Sequence, residues 1–236
     1  MKKAILLVIC LLSAAILAAQ ELEGAWVSIE TYDEGVKIQY VTIISGDFIS
    51  QAFYEKSTGE FKGTWGGKFS VKDDKITYTV EFASFDPELV GTSRKMVFTK
   101  VDDKLQIEDD KIWTRIDDGT PGELFGAWLI SGRKRDGEIV QRDTSGPRKT
   151  MKILSGTRFQ WIAYNTETKE FMGTGGGTYT TIDGKYTENI GFFSRDDSRV
   201  GASLQFDYEL KDGDWHHSGL SSKGKPIYEV WSKRTH

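Results

Sequence analysis

The sequence predicts an all-β protein: two tandem antiparallel up-and-down β-barrels of about eight strands each. Three observations carry this. The chain repeats itself once, its apolar residues alternate with period two, and turn signals recur at short, even spacing. Among its 236 residues are 7 Trp, 9 Tyr and 13 Phe, a ring content suited to packed cores, whereas 25 Gly and 4 Pro are too few for a collagenous chain.

The repeat is read by aligning the chain with itself. Glu21-Leu22-Glu23-Gly24-Ala25-Trp26 returns as Glu123-Leu124-Phe125-Gly126-Ala127-Trp128, an offset of 102. Further landmarks return at an offset of 110: Ser45-Gly46 as Ser155-Gly156, Glu60-Phe61-Lys62-Gly63-Thr64 as Glu170-Phe171-Met172-Gly173-Thr174, and Phe82, Ser84 and Asp86 as Phe192, Ser194 and Asp196. Each copy closes on a tryptophan, Trp113-Thr114-Arg115 and Trp231-Ser232-Lys233-Arg234, now 118 apart, so the second copy carries extra loop residues. A period near one hundred implies two homologous domains, because solenoid repeats run at roughly 20 to 50 residues. We place them at residues 20–117 and 123–236, divided by the turn-forming Asp117-Asp118-Gly119-Thr120-Pro121-Gly122.

Within each copy the strands are read from alternation. Phe206, Tyr208 and Leu210 alternate with Gln205, Asp207 and Glu209, and Tyr40–Ile44 and Thr77–Phe82 are rich in β-branched and aromatic residues. Asp73-Asp74, Asp102-Asp103, Asp183-Gly184 and Asp212-Gly213 mark tight turns between them. No segment carries a convincing helical period. Consecutive hairpin-linked strands remove their exposed edges most simply by closing into a barrel. The glycines of Gly173–Gly177 lack the Lys-Ser/Thr of a phosphate loop and match Gly63, Gly66 and Gly67 of the first copy, so they are read as points of strand bending or close backbone approach.

Residues 1–19 read as a signal peptide: Lys2-Lys3, an apolar run from Ala4 to Leu17, then Ala18-Ala19. The run is shorter than the ~20 residues a spanning helix needs. The expected location is therefore periplasmic or secreted, with no stable membrane span after cleavage. Cys10 lies inside this segment, so the mature chain has no cysteine and must rely on its own core. Net charge is −4 over the whole sequence, and loss of Lys2 and Lys3 makes it more acidic, the opposite balance to that expected of a polyanion binder, so no nucleic-acid partner is expected. The basic runs Arg133-Lys134-Arg135 and Arg148-Lys149 are read as solvated loop charge.

The Gly-x-Trp near the start of each unit, with a tryptophan and a basic residue on its last strand, resembles the lipocalin and avidin-like barrels grouped as calycins. That resemblance implies a first-strand indole across the barrel base with a cation over it: Trp26 with Arg115, and Trp128 with Lys233 or Arg234. The second copy also resembles secreted bacterial lipocalin-like proteins of unassigned function, through Gly175-Gly176-Gly177-Thr178-Tyr179-Thr180, Trp215-His216-His217-Ser218-Gly219 and Glu229-Val230-Trp231. Each unit is shorter than a typical lipocalin and lacks its following helix, which implies a smaller lumen.

Glu188 is the leading candidate for chemistry, because alternation places it with Tyr186, Ile190 and Phe192 on the apolar face of its strand. A carboxylate facing inward is costly unless paired or met by a ligand. Its counterpart in the first copy is Tyr78. The functional cavity is accordingly expected in the second barrel, lined by Glu188, Tyr186, Trp161, Tyr164, Phe206 and Tyr208. His216 and His217 are adjacent on a strand, point to opposite faces and do not suit one metal ion. No Gly-x-Ser-x-Gly or His-Glu-x-x-His is present, and no catalytic residue, metal site or cofactor is assigned. The expected function is binding of a small apolar or amphipathic ligand. The alternative is an envelope-associated interaction or structural module with filled barrels, meeting a protein or glycan.

Overall fold

The computed structural model describes residues 21–107, 111–120, 122–221 and 224–235, so the predicted signal peptide lies outside the described residues. The first copy forms strands β1 (Gly24–Thr31), β2 (Lys37–Ser45), β3 (Phe48–Glu55), β4 (Phe61–Lys72), β5 (Lys75–Ala83), β6 (Ser93–Val101), β7 (Lys104–Ile107) and β8 (Lys111–Asp117). Each pairs antiparallel with its sequence neighbours, and β8 returns to β1, closing the barrel. The second copy forms β9 (Gly126–Arg135), β10 (Glu138–Gln141), β11 (Arg148–Leu154), β12 (Arg158–Asn165), β13 (Phe171–Ile182), β14 (Lys185–Phe193), β15 (Ser203–Lys211), β16 (Asp214–Leu220) and β17 (Pro226–Lys233). Here β17 pairs with β9 to close a second eight-stranded barrel, and β10 is an added strand held by the far end of β9.

Local chemistry explains these elements. Asp73, Asp102, Asp136, Asp183 and Asp212 begin hairpin turns with φ between 50° and 57°, a backbone region that aspartate tolerates. Short 3₁₀ turns at Pro87–Leu89 and Asp197–Arg199 are capped by Asp86 and Asp196, whose carboxylates accept from the backbone N–H groups of Glu88 and Ser198. That shared cap accounts for one of the repeated landmarks. The glycines that recur in both copies permit close strand approach: a Cβ at Gly67 would lie 2.0 Å from the Thr79 carbonyl oxygen, and one at Gly177 2.0 Å from that of Asn189.

Beside those glycines β5 and β14 each carry a bulge. The extra residue re-aims the strand, so Val80 and Ile190 face their barrel interiors while Phe82 and Phe192 leave them. Unbroken alternation predicted Phe192 on the same face as Glu188; the bulge places it on the opposite one.

Phe82 and Phe192 instead join a core between the barrels. Phe82 packs on Tyr164 with ring centroids 4.9 Å apart, and the equivalent pair Phe192 and Tyr54 is also 4.9 Å apart. Phe61 stacks on its own counterpart Phe171 at 6.2 Å. Such reciprocal contacts are those of an isologous interface, with the copies related by a pseudo-twofold axis. Near the axis Ser50 meets its equivalent Gln160, donating to Oε1 at 2.5 Å, while Gln160 Nε2 donates to the hydroxyls of the equivalent pair Thr64 and Thr174 at 2.8 and 2.9 Å. Elsewhere the Arg234 guanidinium grips the Glu81 carboxylate through two bonds of 2.7 and 2.8 Å, and Tyr164 donates to the same carboxylate at 2.7 Å. Asp117, at the end of β8, accepts from Ser155, Gly156 and Thr157 of the β11–β12 turn.

With this much buried surface shared, urea should unfold both barrels in a single cooperative transition. Gln160→Leu removes the acceptor of the buried Ser50 hydroxyl and should cost about 1–3 kcal/mol, read as a lower urea midpoint; two resolved transitions would show that the barrels are independent.

Candidate functional site

The two barrel bases are built alike. Trp26 and Trp128 are both buried, and each indole N–H donates to the carbonyl four residues earlier, Leu22 at 2.9 Å and Leu124 at 2.8 Å. Arg115 lies over the Trp26 ring at 4.3 Å while its guanidinium donates to the carbonyls of Glu21 and Glu23. Of the two basic residues offered for Trp128, Lys233 stands over the indole at 5.6 Å, and Arg234 turns away to Glu81 of the first barrel.

Above these bases the lumens diverge. The first barrel encloses a cavity of about 270 Å³ to which all eight strands contribute side chains. Its wall is mainly apolar, from Ile44, Ile49, Ile76, Met96, Leu105 and Ile107, with Trp26, Trp65, Tyr78 and Trp113 as flat surfaces. A short polar chain crosses one side: Trp65 Nε1 donates to Gln51 Oε1, and Gln51 Nε2 donates to Thr42 Oγ1, both at 3.1 Å. Lys111 also lines the cavity, with its ammonium 3.4 Å from the Tyr40 ring centre and 2.5 Å from Glu30.

Most equivalent positions in the second barrel hold larger groups. Ile49, Ile76, Met96, Leu105 and Ile107 correspond to Phe159, Tyr186, Phe206, Trp215 and His217, and Thr42 and Tyr78 correspond to Lys152 and Glu188. These residues are buried and pack against one another in the interior, where Tyr186 Oη, Trp215 Nε1, Trp231 Nε1 and both His217 ring nitrogens have no hydrogen-bond partner among the described residues. Lys152 and Glu188 form a 2.7 Å ion pair, each only 6–7% exposed at the side chain. The Lys152 ammonium also lies 5.0, 4.8 and 5.1 Å from the rings of Tyr186, Trp215 and Trp231, a cage of π-faces around a desolvated cation. His217 sits beside this group, 4.1 Å from the Phe206 ring and 3.6 Å from a Glu229 oxygen, too far for a hydrogen bond. Burial, then the positive charge of Lys152, holds the His217 pKa below its usual 6.5. Burial alone would raise Glu229, but His217, Lys152 and Arg133 outweigh it and leave that carboxylate below the ordinary range. Tyr186 is pushed well above the usual phenol value by burial and by the charge of Glu188.

Glu188, Tyr186 and Phe206 thus come together in the second interior, with Glu188 neutralised by Lys152. Trp161 packs on Phe193 at 5.6 Å, its indole occupying the side on which the first copy carries Trp65, because Trp65 is replaced by Gly175 and Gln51 by Trp161. Tyr208 is at the margin and donates to Glu123 at 2.6 Å. Tyr164 stands apart from all of these in the core between the barrels. His216 faces outward to the Tyr228 hydroxyl at 2.8 Å, opposite to His217.

Sequence reasoning missed Lys152 and the first-barrel cavity. Lys152 lies in β11, where Met151 and Ile153 face the neighbouring barrel and Lys152 and Leu154 face the lumen, so both faces are buried and alternation gives no contrast. The cavity could have been found by comparing residue sizes between the two copies at matched positions. The sequence matches no protein-family model and no curated protein.

Lys152→Met would strand the Glu188 carboxylate in the interior and should lower stability by about 3–5 kcal/mol, whereas Lys152→Met with Glu188→Leu should recover most of the loss; chemical denaturation of the two variants checks this. His217 has a folded pKa below its unfolded value, so its contribution is present above pH 6.5 and is lost as pH falls below it. His217→Phe should therefore lose less stability than the parent protein between pH 7 and pH 5, measured as the change in urea midpoint.

Proposed function

We propose that the chain is an exported binding protein for a small apolar or amphipathic molecule, held in the first barrel, with the second barrel as its rigid support. The single observation behind this reading is the contrast between lumens. At equivalent positions one barrel has side chains that leave about 270 Å³ open, and the other has buried rings and an ion pair packed against one another. Ligand pockets are typically apolar concavities of roughly 300–1,000 Å³ with a few placed polar groups, so this one suits a compact molecule. Its apolar part would lie against Ile76, Leu105 and the indoles, and a polar end would meet Gln51 or Lys111. The predicted signal peptide supports a periplasmic or secreted location.

The candidate ligand residues of the second barrel then become structural: Glu188 compensates Lys152, and Tyr186 and Phe206 are core. The other reading, an envelope-associated interaction or structural module that meets a protein or glycan, draws on that solid second barrel. It requires the first lumen to bind nothing.

Fluorescence titration with 1-anilinonaphthalene-8-sulfonate distinguishes them. Saturable uptake is expected, weakened about tenfold or more when Ile76→Tyr and Leu105→Trp import the second barrel's fillers. Tyr208→Phe, at the margin of the second barrel, should leave it unchanged. Uptake that survives the filled first lumen would end this assignment, and native mass spectrometry of protein purified from its own envelope would then identify any other bound mass.

A further inference from the structure

The second barrel carries at one end a hairpin that the first lacks. The repeat offset steps from 102 to 110 between Trp128 and Ser155, the stretch where β9 runs on to Arg135, turns at Asp136-Gly137 and returns as β10. The corresponding link of the first barrel is the short acidic turn Asp33–Gly35. The hairpin and the start of β11 bring Arg133, Arg135, Arg142 and Arg148 around one hollow of about 420 Å³, which no acidic side chain lines. Arg133 reaches Glu229 at 3.1 Å, but among the described residues Arg135, Arg142 and Arg148 take part in no ion pair. Burial, then the like charges of Arg148 and Arg133, lowers the Arg142 pKa, so these groups feel one another.

Guanidinium groups gathered without counter-charge repel, and a fork of N–H donors matches the oxygens of phosphate in pairs. We infer that this hollow binds a multiply charged phosphate group, carried by a soluble polyphosphorylated molecule or by the headgroups of an anionic lipid. The charge is local to the hairpin of an otherwise acidic chain, with net −4. It is therefore a site of limited extent and not a general polyanion surface. The inference is independent of the proposed lumen ligand.

Calorimetric titration of the full chain with tripolyphosphate at low salt tests it, beside pelleting with phosphatidylglycerol or phosphatidylcholine vesicles. Arg142→Gln with Arg148→Gln should weaken tripolyphosphate about tenfold or more. Arg94→Gln with Lys95→Gln, which removes the same charge from exposed positions on β6 of the first barrel, should not. Selective pelleting with phosphatidylglycerol that tripolyphosphate displaces identifies a lipid headgroup; tripolyphosphate binding without pelleting identifies a soluble ligand. Absence of tripolyphosphate binding, an equal loss in the β6 variant, or pelleting that tripolyphosphate does not displace would overturn the inference.

Discussion

The volume of a closed eight-stranded barrel is fixed by its backbone, and everything distinctive about this protein follows from what the inward side chains do with it. At this strand number the interior is just wide enough to be filled by side chains or to hold one small molecule. Neither copy can adjust its radius without breaking hydrogen-bonded ladders, so the size and polarity of the inward residues decide between core and cavity. Where the first lumen has Ile76, Met96 and Leu105, the second has the larger Tyr186, Phe206 and Trp215. The Lys152–Glu188 pair completes the filling at an electrostatic cost that the surrounding π-faces and the opposite charge offset.

The core between the barrels extends this logic outward. A sheet closed on itself ordinarily shows its outer face to water, yet here Ile43, Phe48, Leu129 and Ile153 are buried on that side. Those strands have two apolar faces, and the bulges of β5 and β14 supply a ring to each partner. The buried hydrogen bonds of Gln160 and the paired grip of Arg234 on Glu81 fix the angle at which the two outer faces meet.

Much of the architecture was legible in the sequence because it depends on features that repeat. Two copies of Gly-Ala-Trp and of the turn aspartates, together with period-two alternation, are enough to specify two barrels, and both base indoles stand in the same surroundings. Inward-facing Glu188 could also be read, since its neighbours Tyr186 and Ile190 are apolar. Its partner could not, because Lys152 lies thirty-six residues away on a strand buried on both faces. Phe192 and Tyr164 were assigned to the lumen side by a period that a one-residue bulge or a second apolar face interrupts. The basic hairpin looked like solvated loop charge because the convergence of Arg142 and Arg148 with Arg133 depends on folding.

The Ser50–Gln160 contact carries a further consequence. In a dimer of identical subunits, a residue on the axis can face only itself, so Ser would meet Ser or Gln would meet Gln. Joining both copies in one polypeptide lifts that restriction, and a hydroxyl can be matched with an amide across the dyad. The same freedom lets the halves diverge: a lumen with a cavity and a lumen packed with rings and an ion pair cannot both be encoded by one gene product paired with its twin, but they can be encoded in sequence along a single chain.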